Sequence, residues 1–93
     1  MSVAEQLRAG LERALQPTRL AIIDESERHR GHGGWREEGE THFRVVVVSE
    51  RFHRLSRVDR QRLVHEAAAE LLRERIHALS IRALTPTEAE GGS

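Results

Sequence analysis

Four consecutive valines, Val45–Val48, constrain the fold of this chain more than any other feature. They sit inside Thr41–Ser49, THFRVVVVS, and an unbroken branched run of this kind reads as a central strand buried on both faces. A central strand needs a neighbour on each side. Leu20–Asp24, LAIID, is short and rich in branched residues and supplies one. Ile76–Leu84 supplies the other, with Leu79, Ile81 and Ala83 on one side of the pleat.

Helical segments alternate with these strands. Ser2 to Leu15 opens on a capping box, Ser2-Val-Ala-Glu5, and sets Val3, Leu7, Leu11, Ala14 and Leu15 on one face before Pro17 stops it. Ser56 to Arg75 reads as one long helix, with Leu63, Val64, Ala67, Ala68, Leu71 and Leu72 as its apolar stripe and its first turns as the place for any kink. Thr85-Pro86-Thr87-Glu88 starts a last, brief helix before Gly91-Gly92-Ser93.

The order is α-β-β-α-β-α. The first two strands should pair antiparallel. The strand–helix–strand unit that follows favours a parallel, right-handed crossover. This predicts an α+β fold, an α/β sandwich with a three-stranded mixed sheet and helices on one face. The 93 residues suffice for one domain, expected over residues 1–88 with 89–93 as a flexible tail.

Composition then removes function classes. There is no cysteine, so soft-metal chemistry must rest on histidine or on a ligand lent by a partner. The apolar runs fall far short of the roughly 20 residues that span a bilayer. The amphipathic N-terminus has no apolar signal region, so a cytoplasmic protein without membrane attachment is expected. Net charge is zero, which argues against a dedicated nucleic-acid binder without excluding a local basic face. Asp59, Glu66 and Glu70 are helix-face carboxylates with no matching nucleophile. Ser49 and Ser56 have no histidine–acid relay, so no enzyme is expected.

Glu25–Glu40 reads as a loop of about 15 residues, longer than a compact hairpin needs, and such loops tend to carry function. It holds His29, His32 and Trp35, the last a contact for the loop's own base or for a partner. His77 opens the third strand and is either an ordinary half-buried histidine or a metal ligand. A zinc site from His29, His32 and His77 is chemically possible, but nothing in the spacing demands it. His42 reads as a packing or hydrogen-bonding residue, His65 as structural or partner-facing, and His53 as solvated. Arg51, Arg54, Arg57, Arg60 and Arg62 form a basic cluster that is either a solvated helix face or a set of phosphate contacts.

Several blocks carry a resemblance: Asp24-Glu25-Ser26, Glu40-Thr41-His42-Phe43-Arg44-Val45, Val48-Ser49-Glu50-Arg51-Phe52, Arg60-Gln61-Arg62-Leu63-Val64 and His77-Ala78-Leu79 through Thr85-Pro86. In this order and spacing the chain resembles the BolA family from about residue 5 to residue 88. The resemblance implies a class II KH-like fold. It also implies pairing with a monothiol glutaredoxin and glutathione to hold a shared [2Fe–2S] cluster, with no cofactor in the isolated protein. His77 matches the family's ligand position at the last strand. The second ligand comes from the loop, where the family's spacing from Asp24-Glu25-Ser26 favours His29, with His32 as the alternative. The loop RHRGHGGWREEGE departs from the commonest family form in its added glycine and Trp35. The family has also been regarded as transcriptional regulators, so DNA is the alternative partner and the Arg cluster its contact surface. Gly31-His-Gly-Gly34 matches the KH GxxG pattern by letter only, since it lies between strands.

Overall fold

The computed structural model describes residues 1–26, 39 and 41–91. Its elements run α1 (Val3–Leu15), β1 (Arg19–Asp24), β2 (His42–Val48), a 3-10 turn (Glu50–Phe52), α2 (Arg57–Ala67), α3 (Ala69–Glu74), β3 (Ala78–Leu84) and α4 (Pro86–Glu90). The sheet order is β1-β2-β3. β1 is antiparallel to β2, with Ile22 opposite Val45, and β2 is parallel to β3, with Val45 opposite Ile81. The valine strand is therefore central, as its composition predicts.

Register decides which side chains meet the core. Phe43, Val45 and Val47 are buried, and Leu20, Ile22, Leu79, Ile81 and Ala83 from the neighbouring strands join the same cluster. Against them pack Val3, Leu7, Leu11 and Leu15 of α1 and the stripe from Leu63 to Leu72 of α2 and α3. Ala14 is exposed and takes no part, so the α1 stripe is narrower than the sequence suggested. Each fully buried Leu or Val contributes about 1.5–3 kcal/mol, so this one face supplies most of the drive to fold.

The expectation of burial on both faces holds only in part. Val45 and Val47 have no exposed surface, while Val46 points to the opposite face and is half-buried. Its lateral neighbours are Ala21 and Arg82. Val48 is buried on that face because α4 closes the end of the sheet, beside Thr18 and Arg19.

The long helix is broken, and late rather than in its first turns. Ala68 takes φ −108° and ψ 11°, and its N–H is shared between the carbonyls of Val64 and His65. The break falls beside α1: a methyl on Gly10 would stand 3.1 Å from the Ala67 carbonyl oxygen. Glycine is retained in α1, despite a cost of about 1 kcal/mol relative to Ala, because it permits this approach. Helix α4 reaches Glu90, two residues beyond the domain boundary expected from sequence, so residues 89 and 90 are helical rather than tail. Among the described residues no helix is long and apolar enough to cross a membrane.

One ion pair joins α4 to α2. Arg60, with a side chain 14% exposed, donates to both Glu88 carboxylate oxygens at 2.6 and 3.1 Å, and also to the carbonyls of Leu55 and Ala83. The Arg60 guanidinium, and then the Thr85 backbone N–H, hold the Glu88 carboxyl down to about 2 from its ordinary 4.5. A value lowered on folding gives stability that is present above pH 4.5 and is lost as pH falls from there towards 2. Thermal melts across that window should show Glu88→Gln losing less stability on acidification than the parent protein.

Candidate functional site

Buried polar side chains are the informative exceptions in a small core, and three of them gather at one end of the sheet. Ser26, Thr41 and His42 are 3%, 1% and 7% exposed. They lie where β1 leaves the sheet and β2 enters it, so they form the base of the segment between the two strands. Asp24 begins the network as an Asx turn: its Oδ1 accepts from the Ser26 N–H at 2.9 Å and from the Ser26 hydroxyl at 2.6 Å. Ser26 Oγ in turn accepts from the N–H groups of Thr41, at 2.9 Å, and His42, at 3.3 Å. Gly39, at φ +76°, sits beside Asp24 and Ser26, a conformation that glycine adopts without strain.

The same base carries the third strand's histidine. Because β2 and β3 are parallel, both begin at this end, with His42 opposite Ala78. The His77 N–H donates to the Thr41 carbonyl at 2.7 Å. The His77 ring is exposed and lies against the buried His42 ring, with centroids 6.2 Å apart and planes 17° from parallel. His42 Nδ1 and Thr41 Oγ1 share a hydrogen bond of 2.8 Å. Glu25 donates its N–H to the His42 carbonyl and pairs through its carboxylate with Arg44 at 3.2 Å.

This arrangement holds one imidazole in solvent on a rigid floor and fixes both flanks of the intervening segment beside it. His77 can offer a ring nitrogen to a metal centre without unfolding anything. Among the described residues, no three His, Asp or Glu side chains are grouped to hold a metal ion. A metal centre here must take further ligands from elsewhere. His29, His32 and Trp35 lie outside the described residues.

The remaining sequence candidates are dispersed. His53 is exposed, 3.5 Å from Glu50, and His65 is exposed on α2. In the basic cluster, Arg60 is turned inward onto Glu88. Arg51 donates to Gln16 and Arg62 lies 3.4 Å from Asp59, while Arg54 and Arg57 are exposed. Of the five arginines, Arg60 is therefore held in an ion pair and the other four are exposed. The Ser26–Thr41 anchor and the His42–His77 stack were missed from sequence, although Asp24-x-Ser26 is an Asx-turn signature that points to the first.

Comparison with known proteins gives a consistent result. The family model described as BolA-like protein matches residues 11–88. BolA-like protein 1 of Mus musculus is 48% identical over 86 residues, covering 92% of this chain, and the chain spans only 60% of that relative's length. The DNA-binding transcriptional regulator BolA of Escherichia coli K12 is 37% identical, with 98% of this chain and 83% of that protein covered. Among solved structures, the BolA domain of SufE1 from Arabidopsis thaliana superposes with a TM-score of 0.85 at 40% identity, covering 95% of this chain and 96% of that one.

Proposed function

The chain belongs to the BolA-like protein family, and from that premise we propose that it is an adaptor for a monothiol glutaredoxin. The two proteins share a glutathione-ligated [2Fe–2S] cluster, as cargo in cluster assembly or transfer or as a sensor of iron and redox state. The observation that carries this reading is His77: an exposed imidazole at the sheet end, hydrogen-bonded through its backbone to the base of the segment that bears His29 and His32. His29 lies three positions after Ser26 in sequence, a reach of up to about 10 Å when extended.

The ligand count requires a partner. A [2Fe–2S] cluster takes four ligands, and this chain, with no cysteine, offers His77 with His29, or with His32 in its place. A glutaredoxin thiolate and a glutathione thiolate complete the set. Imidazole ligation makes such a cluster easier to reduce than four thiolates do and sensitive to protonation, which suits delivery or sensing. His77 and the loop histidine hold one iron, and the Ser26–Thr41 anchor keeps the loop's flanks at the height of His77. The test is to mix the protein with a monothiol glutaredoxin, glutathione, iron and sulfide and to record visible circular dichroism. A new spectrum, distinct from that of the glutaredoxin alone, is expected. An unchanged glutaredoxin spectrum would sink the proposal.

A second reading is favoured by the E. coli relative, which is a DNA-binding transcriptional regulator. In this chain it would rest on Arg51, Arg54, Arg57 and Arg62, with Arg60 committed to Glu88. Titration with duplex DNA at several salt concentrations separates the two. Specific binding that persists near physiological salt would support regulation, whereas affinity that vanishes as salt rises marks non-specific phosphate contact.

A further inference from the structure

An imidazole presents its lone pair in the plane of the ring, so the orientation of the ring decides where a metal ion can sit. A metal-bound histidine is usually aimed by a partner of its own, a carboxylate, carbonyl or water that accepts from the other ring nitrogen. His77 has no such acceptor among the described residues. Its side chain makes no hydrogen bond or ion pair with them, and its ring contact is with His42.

His42, by contrast, is held on every side. Its ring is buried, with Nδ1 in the 2.8 Å bond to Thr41 Oγ1. Its N–H donates to Ser26 Oγ at 3.3 Å, and its carbonyl accepts from the Glu25 N–H at 2.7 Å. Thr41 ties the two histidines together. While its hydroxyl holds the His42 ring, its carbonyl accepts from the N–H groups of both His77 and Ala78, at 2.7 and 3.3 Å. The His77 backbone and the His42 ring thus hang from one buried residue. The ring planes lie 17° apart at a centroid distance of 6.2 Å, inside the offset-stacking range of about 4.5–7 Å.

We infer that His42 is a positioning residue for His77: its buried ring sets the plane in which the exposed ring offers its nitrogen, in place of the usual hydrogen-bond acceptor. The inference rests on the reading of His77 as a ligand and adds what aims it. An exposed histidine on a bare surface exchanges among rotamers, each aiming the nitrogen elsewhere. A stack that selects one of them raises the fraction of the chain competent to bind. A side chain kept only to fill the sheet end needs volume but no aromatic face, and that difference separates the two roles.

The test compares H42F, which keeps an aromatic face, with H42L, which fills a similar volume without one. Both lose the bond to Thr41, so what differs between them is the ring. In the full chain without a partner, NMR contacts between the side chains at positions 42 and 77 and the His77 χ1 couplings read the orientation directly. One His77 rotamer is expected in the parent and in H42F, and averaging in H42L, all measured well below their melting temperatures. With a monothiol glutaredoxin, glutathione, iron and sulfide, the mixed cluster on H42L should show shifted visible circular dichroism bands. It should also lose iron to a chelator about two- to tenfold faster, the factor that a stacked pair is worth, while H42F follows the parent. Should H42L not fold, T41V takes its place with the same averaging expected, because it keeps both imidazoles and removes the hydroxyl that holds the His42 ring. A single His77 rotamer that persists in H42L or T41V, or an H42L cluster indistinguishable from the parent's, would overturn the inference and leave His77 as a ligand. A parent chain that gives no mixed spectrum overturns the ligand reading and the inference with it.

Discussion

His77→Ala is expected to abolish the mixed cluster while leaving the protein folded. The ring is exposed and its backbone N–H bond to Thr41 survives the substitution, so stability should change by no more than about 0.5 kcal/mol. The cluster, by contrast, loses a ligand that nothing else among the described residues replaces. The visible circular dichroism of the mixture should return to that of the glutaredoxin's own cluster, and melts of the parent and variant should overlay. His29→Ala and His32→Ala then identify the loop ligand: one should reproduce the loss seen with His77→Ala, and the other should leave the spectrum intact. A mixed spectrum that survives His77→Ala removes this residue from the site.

Ser26→Ala is expected to have the opposite signature, a large loss of stability from removal of a single oxygen. Ser26 Oγ accepts from the N–H groups of Thr41 and His42, both residues buried, and donates to Asp24. Alanine leaves those buried donors unpaired, and each unsatisfied group costs about 1–3 kcal/mol. A total near 2–3 kcal/mol corresponds to roughly 10–20 °C in melting temperature for a domain of this size. Ser80→Ala is the control. Ser80 is exposed beside Arg44 on the sheet face opposite the core, and its loss should fall within about 0.5 kcal/mol. If Ser26→Ala melts with the parent protein, the polar network is not the anchor described here. The two variants also separate the roles of this end of the molecule, with His77 offered to a ligand and Ser26 holding the floor beneath it.

Most of the fold was legible because it depends on local periodicity. The valine run of β2, the capping boxes at Ser2 and Thr85 and the α1 stripe each need only a few adjacent residues to read. What was not legible depends on pairing between distant segments. The half-exposure of Val46 follows from α1, α2 and α3 packing on the opposite face of the sheet, which the strand's own composition does not record. The break at Ala68 lies against Gly10, on another helix. Arg60 read as a free cation in a basic cluster, and only the approach of Glu88 from α4 turns it inward.

The candidate site follows the same division. His77 was identifiable from its position before the last strand and from the family resemblance. Its contact with His42 arises from the parallel register of β2 and β3, which brings together residues 35 apart in sequence (77 − 42) that no local pattern connects. The Ser26–Thr41 anchor likewise spans 15 residues.

Native mass spectrometry of the reconstituted mixture tests the central claim most directly, because it counts the ligand donors. The expected species contains one copy of this chain, one monothiol glutaredoxin, one glutathione and one [2Fe–2S] cluster, and it should be absent when His77→Ala replaces the parent protein. If the cluster appears only on glutaredoxin dimers carrying two glutathiones, with this chain unbound or bound without iron and sulfide, the proposed shared cluster does not exist.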